Sequence, residues 1–145
     1  MSGSEDSRCG LIRETLAATR SAVAERHAGS PPPSLPAVDS TAPDPWQVIH
    51  DTGAFAAKVI AVALFWRRGK CFIRSRALAT VLRHRGIPVV LNIGLPSNPG
   101  RSHRGHCWLS LGDSLVLETH DPRPSFPTSL DCSADGAVHY WAECR

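Results

Sequence analysis

The sequence has no apolar run long enough to cross a bilayer: its most hydrophobic stretch, residues 54–66, is broken by Lys58 and falls short of a span. It opens without a basic segment followed by an apolar one, so no secretory signal is expected and the chain is expected to be cytoplasmic. There is no Cys-x-x-Cys pair. The five cysteines, at 9, 71, 107, 132 and 144, are odd in number and irregularly spaced, which speaks against the disulfide framework of a small secreted domain and for free thiols. A strong charge imbalance is also missing: 16 Lys and Arg stand against 13 Asp and Glu, a formal charge of +3, too little to argue for nucleic acid as a partner. No internal repeat is visible.

What is present is ordinary globular material. The chain has 145 residues, 42% hydrophobic and 20% charged, enough for one domain to bury a core without a structural metal. Residues 11–28 are rich in helix formers, with Leu11, Ile12, Leu16 and Val23 at helical spacing, and predict a short helix with a thin apolar face. Residues 29–45 hold six prolines and predict a linker or extended arm. Asp44 followed by Pro45 signals the start of a second helix, running to Trp66, with Val48, Ile49, Phe55, Val59, Val62 and Phe65 turned to the core. A third helix is expected from Cys71 to His84, with Leu78, Val81 and Leu82 inward and Gly86 as its stop. Three strands follow, at 87–95, 106–111 and 114–118, the last two joined by a Gly-Asp turn. The last thirty residues, with Pro122, Pro124 and Pro127, read as mostly loop. Helices followed by an antiparallel sheet make an α+β order.

The chemistry centres on Cys71. It is expected at the first turn of a helix, where unpaired backbone N–H groups and the positive end of the dipole favour a thiolate, and it follows Arg67, Arg68 and Lys70. A nucleophilic cysteine also needs a base and a group to orient that base. His106 opens one predicted strand and Glu118 closes the next, so a hairpin at Gly112 and Asp113 brings imidazole and carboxylate together. Asp113 and Asp121 remain alternatives for the acid.

The run KCFIRSRALATVLRHRGIPVVLNIGL, followed by GHCWLSLGDSLVLE, resembles the microcin-processing, transglutaminase-like domain of lasso-peptide leader peptidases, the stand-alone protease half of the split B protein. The matching positions are Cys71, Arg74, Ser75, Ala77, Leu78, Arg85, Gly86, Ile87, Pro88, His106, Trp108 and Glu118, and the likeness runs from residue 46 to about 130. It implies a papain-like, transglutaminase-like fold, with residues 1–45 as an N-terminal helix and Pro-rich arm and 46–145 as the peptidase domain. It also implies Cys71 as nucleophile, His106 as base and Glu118 as orienting acid. Two positions depart from the family's pattern: Glu118 stands where Asp is usual, and Cys107 where Ala is usual.

By this likeness the substrate is a precursor peptide whose leader is removed by hydrolysis. The expected partners are a separate leader-recognition protein and a macrolactam-forming synthetase. No cofactor, metal, nucleic acid or membrane insertion is implied. Two other classes compete: a catalytically silent binding subunit of the same fold, and a metal-binding module built on His103, His106, Cys107 and His120. Strand alternation would split the ligands of that module between two faces. Trp66, Trp108 and Trp141 are expected to pack in the core or at its edge, and His84 to sit near a helix dipole. Arg101 and Arg104 precede His106 in a loop, placed either to meet a leader carboxylate or simply to be solvated.

Overall fold

Helix α1, Gly3–Ala28, is longer than its composition suggests and packs on α3, Ala54–Ala63, and α4, Lys70–Arg83. Its buried positions are Thr15, Ala18, Thr19 and Ala22. Leu11, Ile12, Leu16 and Val23 flank that strip half-buried. The two threonines are tolerated inside because each hydroxyl donates to the carbonyl four residues back, Thr15 to Leu11 and Thr19 to Thr15, both at 2.7 Å. Small residues let α1 lie close to α4, and two ion pairs fix the crossing: Glu25 with Arg76 at 2.8 Å and Glu14 with Arg85 at 2.7 Å. His84 also meets Glu14, at 3.1 Å. This computed structural model describes residues 3–28, 35–38, 44–67, 70–96, 105–132 and 138–142.

Asp44 does cap the next helix, its carboxylate accepting from the backbone N–H groups of Trp46 and Gln47. The helix is not continuous. α2, Pro45–Val48, passes through a π-helical turn at Ile49–Gly53 into α3, Ala54–Ala63. The buried stripe is Ile49, Gly53, Ala56, Ile60 and Leu64, whereas Val62 and Phe65, expected inside, are 77% and 66% exposed. The segment is apolar nearly all round, so periodicity alone does not choose the face. The chosen one carries Gly53 and Ala56, whose small size admits close neighbours: a Cβ added at Gly53 would lie 3.3 Å from both Leu82 and Leu117. Trp66 is likewise no core residue; it is 90% exposed and meets Phe65 edge-on.

α4, Lys70–Arg83, is the central helix. Leu78, Val81 and Leu82 are buried as expected, and Ile73, Ala77 and Ala79 join them. Gly86, at φ 78, stops the helix, with the Ile87 N–H donating to the Leu82 carbonyl. Buried Arg83 donates to the carbonyls of Pro36 and Val89, tying the arm and the first strand to α4.

Among the described residues the sheet has five antiparallel strands in the order β3-β2-β1-β4-β5: β1 Val90–Leu95, β2 His106–Leu111, β3 Ser114–Val116, β4 Thr128–Cys132 and β5 Val138–Ala142. The C-terminal region, read as mostly loop, supplies β4 and β5. Its prolines, at 122, 124 and 127, all lie before β4, and a segment as short as TSLDC carries little periodic signal. α4 packs on β1 and β2, and their shared core is built from Leu78, Leu82, Leu91, Leu109 and Val116. The architecture is α+β.

The opposite face of β2 carries an aromatic layer. His106 stacks on Trp108 and on Phe126, with centroids 6.0 and 5.6 Å apart. Gly94, cross-strand from His106, makes room for it: an added Cβ would stand 2.6 Å from both Phe126 Cβ and Trp108 Cζ3. Gly94→Ala is therefore expected to cost about 1–3 kcal/mol by overpacking, read as a lower urea midpoint at unchanged slope. An unaltered midpoint would show that the aromatics simply move aside.

Candidate active site

Cys71 is the second residue of α4, in its first turn, and is half-buried. Its thiol is lowered from the ordinary cysteine range to about 5, chiefly by a hydrogen bond from the Cys107 thiol; burial opposes this, while the backbone N–H groups of Cys107 and Phe72 and the charge of His106 add to it. Arg67 and Lys70 are not among the causes. Lys70 turns instead to the Phe65 carbonyl, at 2.9 Å. Arg68 lies outside the described residues.

Strand pairing explains how the Cys107 backbone comes to serve Cys71. In a two-residue hairpin the pair flanking the turn, here Leu111 and Ser114, exchanges hydrogen bonds, and every second pair after it does likewise. Leu109–Val116 is the next such pair, and Cys107–Glu118 would follow if β3 continued. It does not. Leu117 adopts φ 54, the left-handed region, as the one non-glycine residue with positive φ among the described residues. A leucine there costs on the order of 1–3 kcal/mol and persists only where its surroundings hold it. With β3 ended, α4 takes both backbone groups of Cys107: its N–H goes to the Cys71 sulfur, and its carbonyl accepts from the Ser75 hydroxyl at 2.9 Å.

The same turn redirects Glu118. Continued pairing would set it across from Cys107; instead its Oε2 lies 3.9 Å from His106 Nε2, with its side chain 12% exposed. Arg74, three residues beyond Cys71, meets Glu118 Oε1 at 3.4 Å and donates to the Leu117 carbonyl at 2.9 Å. Asp121 is held by Arg123 at 2.7 Å on the surface, and Asp113 sits exposed at the hairpin tip. Of the three acids considered, Glu118 is the one beside His106. The hydrogen bonds that lower Cys71 come from Cys107 and Phe72, and His106 acts on it through charge.

An open cleft of about 360 Å³ lies against His106 and Glu118, lined further by His120, Asp121, Ser125 and Phe126. Cys71 is not among its lining residues. Among the described residues no group of three or more His, Cys, Asp or Glu side chains is arranged to hold a metal ion. His103, Arg101, Arg104 and the Trp141 side chain lie outside the described residues. Trp108 is buried, 3% exposed, as expected. Sequence reasoning missed Gly94, Leu117 and the partnership of Cys107 with Cys71. Only Cys107 left a trace, as a departure from the family's pattern.

The family model of the Transglutaminase-like superfamily matches this chain over residues 8–130. The chain belongs to that superfamily. Comparison with curated proteins and with solved structures finds no match. The superfamily includes cysteine peptidases and transferases, and its matched region takes in most of α1 and all of α4, β1, β2 and β3. No helix among the described residues is long and apolar enough to cross a membrane.

Proposed function

We propose that this transglutaminase-like protein is a cysteine peptidase that removes the leader from a ribosomally made lasso-peptide precursor. What supports the reading is the Cys71 sulfur, favoured as an anion at the start of α4, together with the His106–Glu118 pair on the adjoining strands. The identity of the precursor rests on the resemblance carried by Cys71, Arg74, Ser75, His106, Trp108 and Glu118.

In the proposed reaction the Cys71 thiolate attacks the carbonyl of the bond joining leader to core. A carboxylate 3.9 Å from His106 Nε2 favours the proton there and leaves Nδ1 as the nitrogen that can accept one. The imidazolium then protonates the departing amine of the core, and the leader is left as a thioester. Water, deprotonated by His106, releases it. The backbone N–H of Cys71 at the helix terminus is a donor for the oxyanion. The freed core amine is the group that a macrolactam-forming synthetase requires. The cleft beside His106 would receive residues flanking the cut.

The proposal includes a separate leader-recognition protein that presents the substrate. The test incubates the protein, a precursor and that partner, and compares product masses. Hydrolysis adds one water across the leader–core bond, whereas transfer to an amine gives a joined product. Strong stimulation by the partner is expected; equal turnover with and without it would remove the two-part arrangement. Glu118→Gln is expected to lower kcat by about 10- to 100-fold, since it keeps the shape and loses the charge that steadies the imidazolium.

A further inference from the structure

We propose that Arg74 is a positioning residue: its grip on the Leu117 carbonyl keeps the chain after β3 in the left-handed turn that leaves Cys107 to Cys71 and sets Glu118 beside His106. For its effect on turnover this rests on the peptidase reading; for its effect on the Cys71 sulfur it does not.

The turn at Leu117 is uphill for a leucine and needs holding from outside. Two contacts hold it. The side chain packs toward Gly53 in the π-turn, where a Cβ would already crowd it at 3.3 Å. The carbonyl accepts from Arg74 Nη2 at 2.9 Å, while Nη1 of the same guanidinium reaches Glu118 at 3.4 Å. A planar fork fits two adjacent acceptors in a way one ammonium does not. Arg74 also stands on the helix that carries Cys71 and Ser75, so α4 presents the nucleophile, takes the Cys107 backbone and restrains the acid from one rigid element.

Without the grip, the register of β2 and β3 favours one further pair, Cys107 with Glu118. That pair would draw the Cys107 N–H away from the sulfur and Glu118 away from His106. Loss of Arg74 should thus show at Cys71, which the known contacts of Arg74 do not include.

The experiment measures iodoacetamide labelling of Cys71, by peptide mass, from pH 4 to 8 in the full chain, alongside kcat and KM with precursor and partner. For Arg74→Ala the labelling midpoint is expected to rise by about one unit or more, the tenfold change in thiolate that one unit represents. The kcat is expected to fall by about 10- to 100-fold, with KM changed far less, as for a misplaced catalytic group. Arg74→Lys should fall between. In a Leu117→Gly background, where glycine adopts the turn unaided, Arg74→Ala should shift the midpoint much less. A midpoint equal to wild type in Arg74→Ala, or an equal shift in both backgrounds, overturns the proposal. If Arg74→Ala does not fold by circular dichroism, Arg74→Lys and the Leu117→Gly pair decide by the same criteria. A shifted midpoint in a protein that cleaves no precursor would sink the peptidase reading and leave the role of Arg74 standing.

Discussion

Under the proposed reaction, Cys71→Ala is expected to abolish leader removal, a loss of about 10⁴-fold or more, in a protein that still folds. This is the largest effect expected of any substitution here, because removing a nucleophile discards the covalent route itself. The side chain is half-buried in a first helical turn, and alanine suits that position, so folding should survive. His106→Ala should approach the same floor, since groups that act as a unit fail as a unit. Mass spectrometry of the precursor after long incubation reads both, and a Cys71→Ala protein that still cleaves would end the covalent mechanism outright.

The second large effect is selective labelling of Cys71 in acid. With its thiol near 5, Cys71 is almost wholly thiolate at pH 6, whereas an ordinary cysteine near 8.5 is charged there to only about 0.3%. The roughly 300-fold advantage in thiolate is reduced some 40-fold by the weaker nucleophilicity of a low-pKa sulfur, so a net gain of about tenfold is expected. Near pH 7 the advantage disappears and then reverses, which makes mildly acid solution the informative condition. Exposed Cys9 is the internal comparison. Cys107→Ala removes the largest stabilising contact of the sulfur and should move the labelling midpoint upward; an unmoved midpoint would mean that the backbone N–H groups suffice.

The same shift makes stability depend on pH. The folded value, about 5, lies below the unfolded one of about 8.5, so the unfolded chain holds the proton over that interval. The contribution is complete above about pH 8.5 and is lost as pH falls through 5. Cys71→Ser should flatten that part of the stability profile.

Much of this was legible in the chain. Asp44–Pro45, Gly86 and the inward stripe of α4 are local signals, and they marked their elements because caps, left-handed stops and strong periodicity act within a few residues. Cys71 on a first turn followed from similar local signals, and the hairpin placed Glu118 in the neighbourhood of His106, but their meeting depends on the turn at Leu117. The face of α3 was not legible, since apolar residues surround it and only the packing of Gly53 and Ala56 selects a side. β4 and β5 were missed because short strands borrow their stability from neighbours. The deeper omission is Leu117. Nothing in SLVLE announces that the strand ends two residues early, since the turn is imposed by Arg74 from another element and by the space over Gly53. The electropositive setting expected of Arg67 and Lys70 also gave way to closer groups: hydrogen-bond donors touching a sulfur outweigh solvated cations farther off.

Trp66, 90% exposed, and Trp108, 3% exposed, are the optical extremes among the described tryptophans, with Trp46 between them at 46%. Emission from the first should be red-shifted and readily quenched by iodide, and emission from the second blue-shifted and shielded. Any molecule that settles on the end of α3 would therefore announce itself by a change in fluorescence colour, with no label attached.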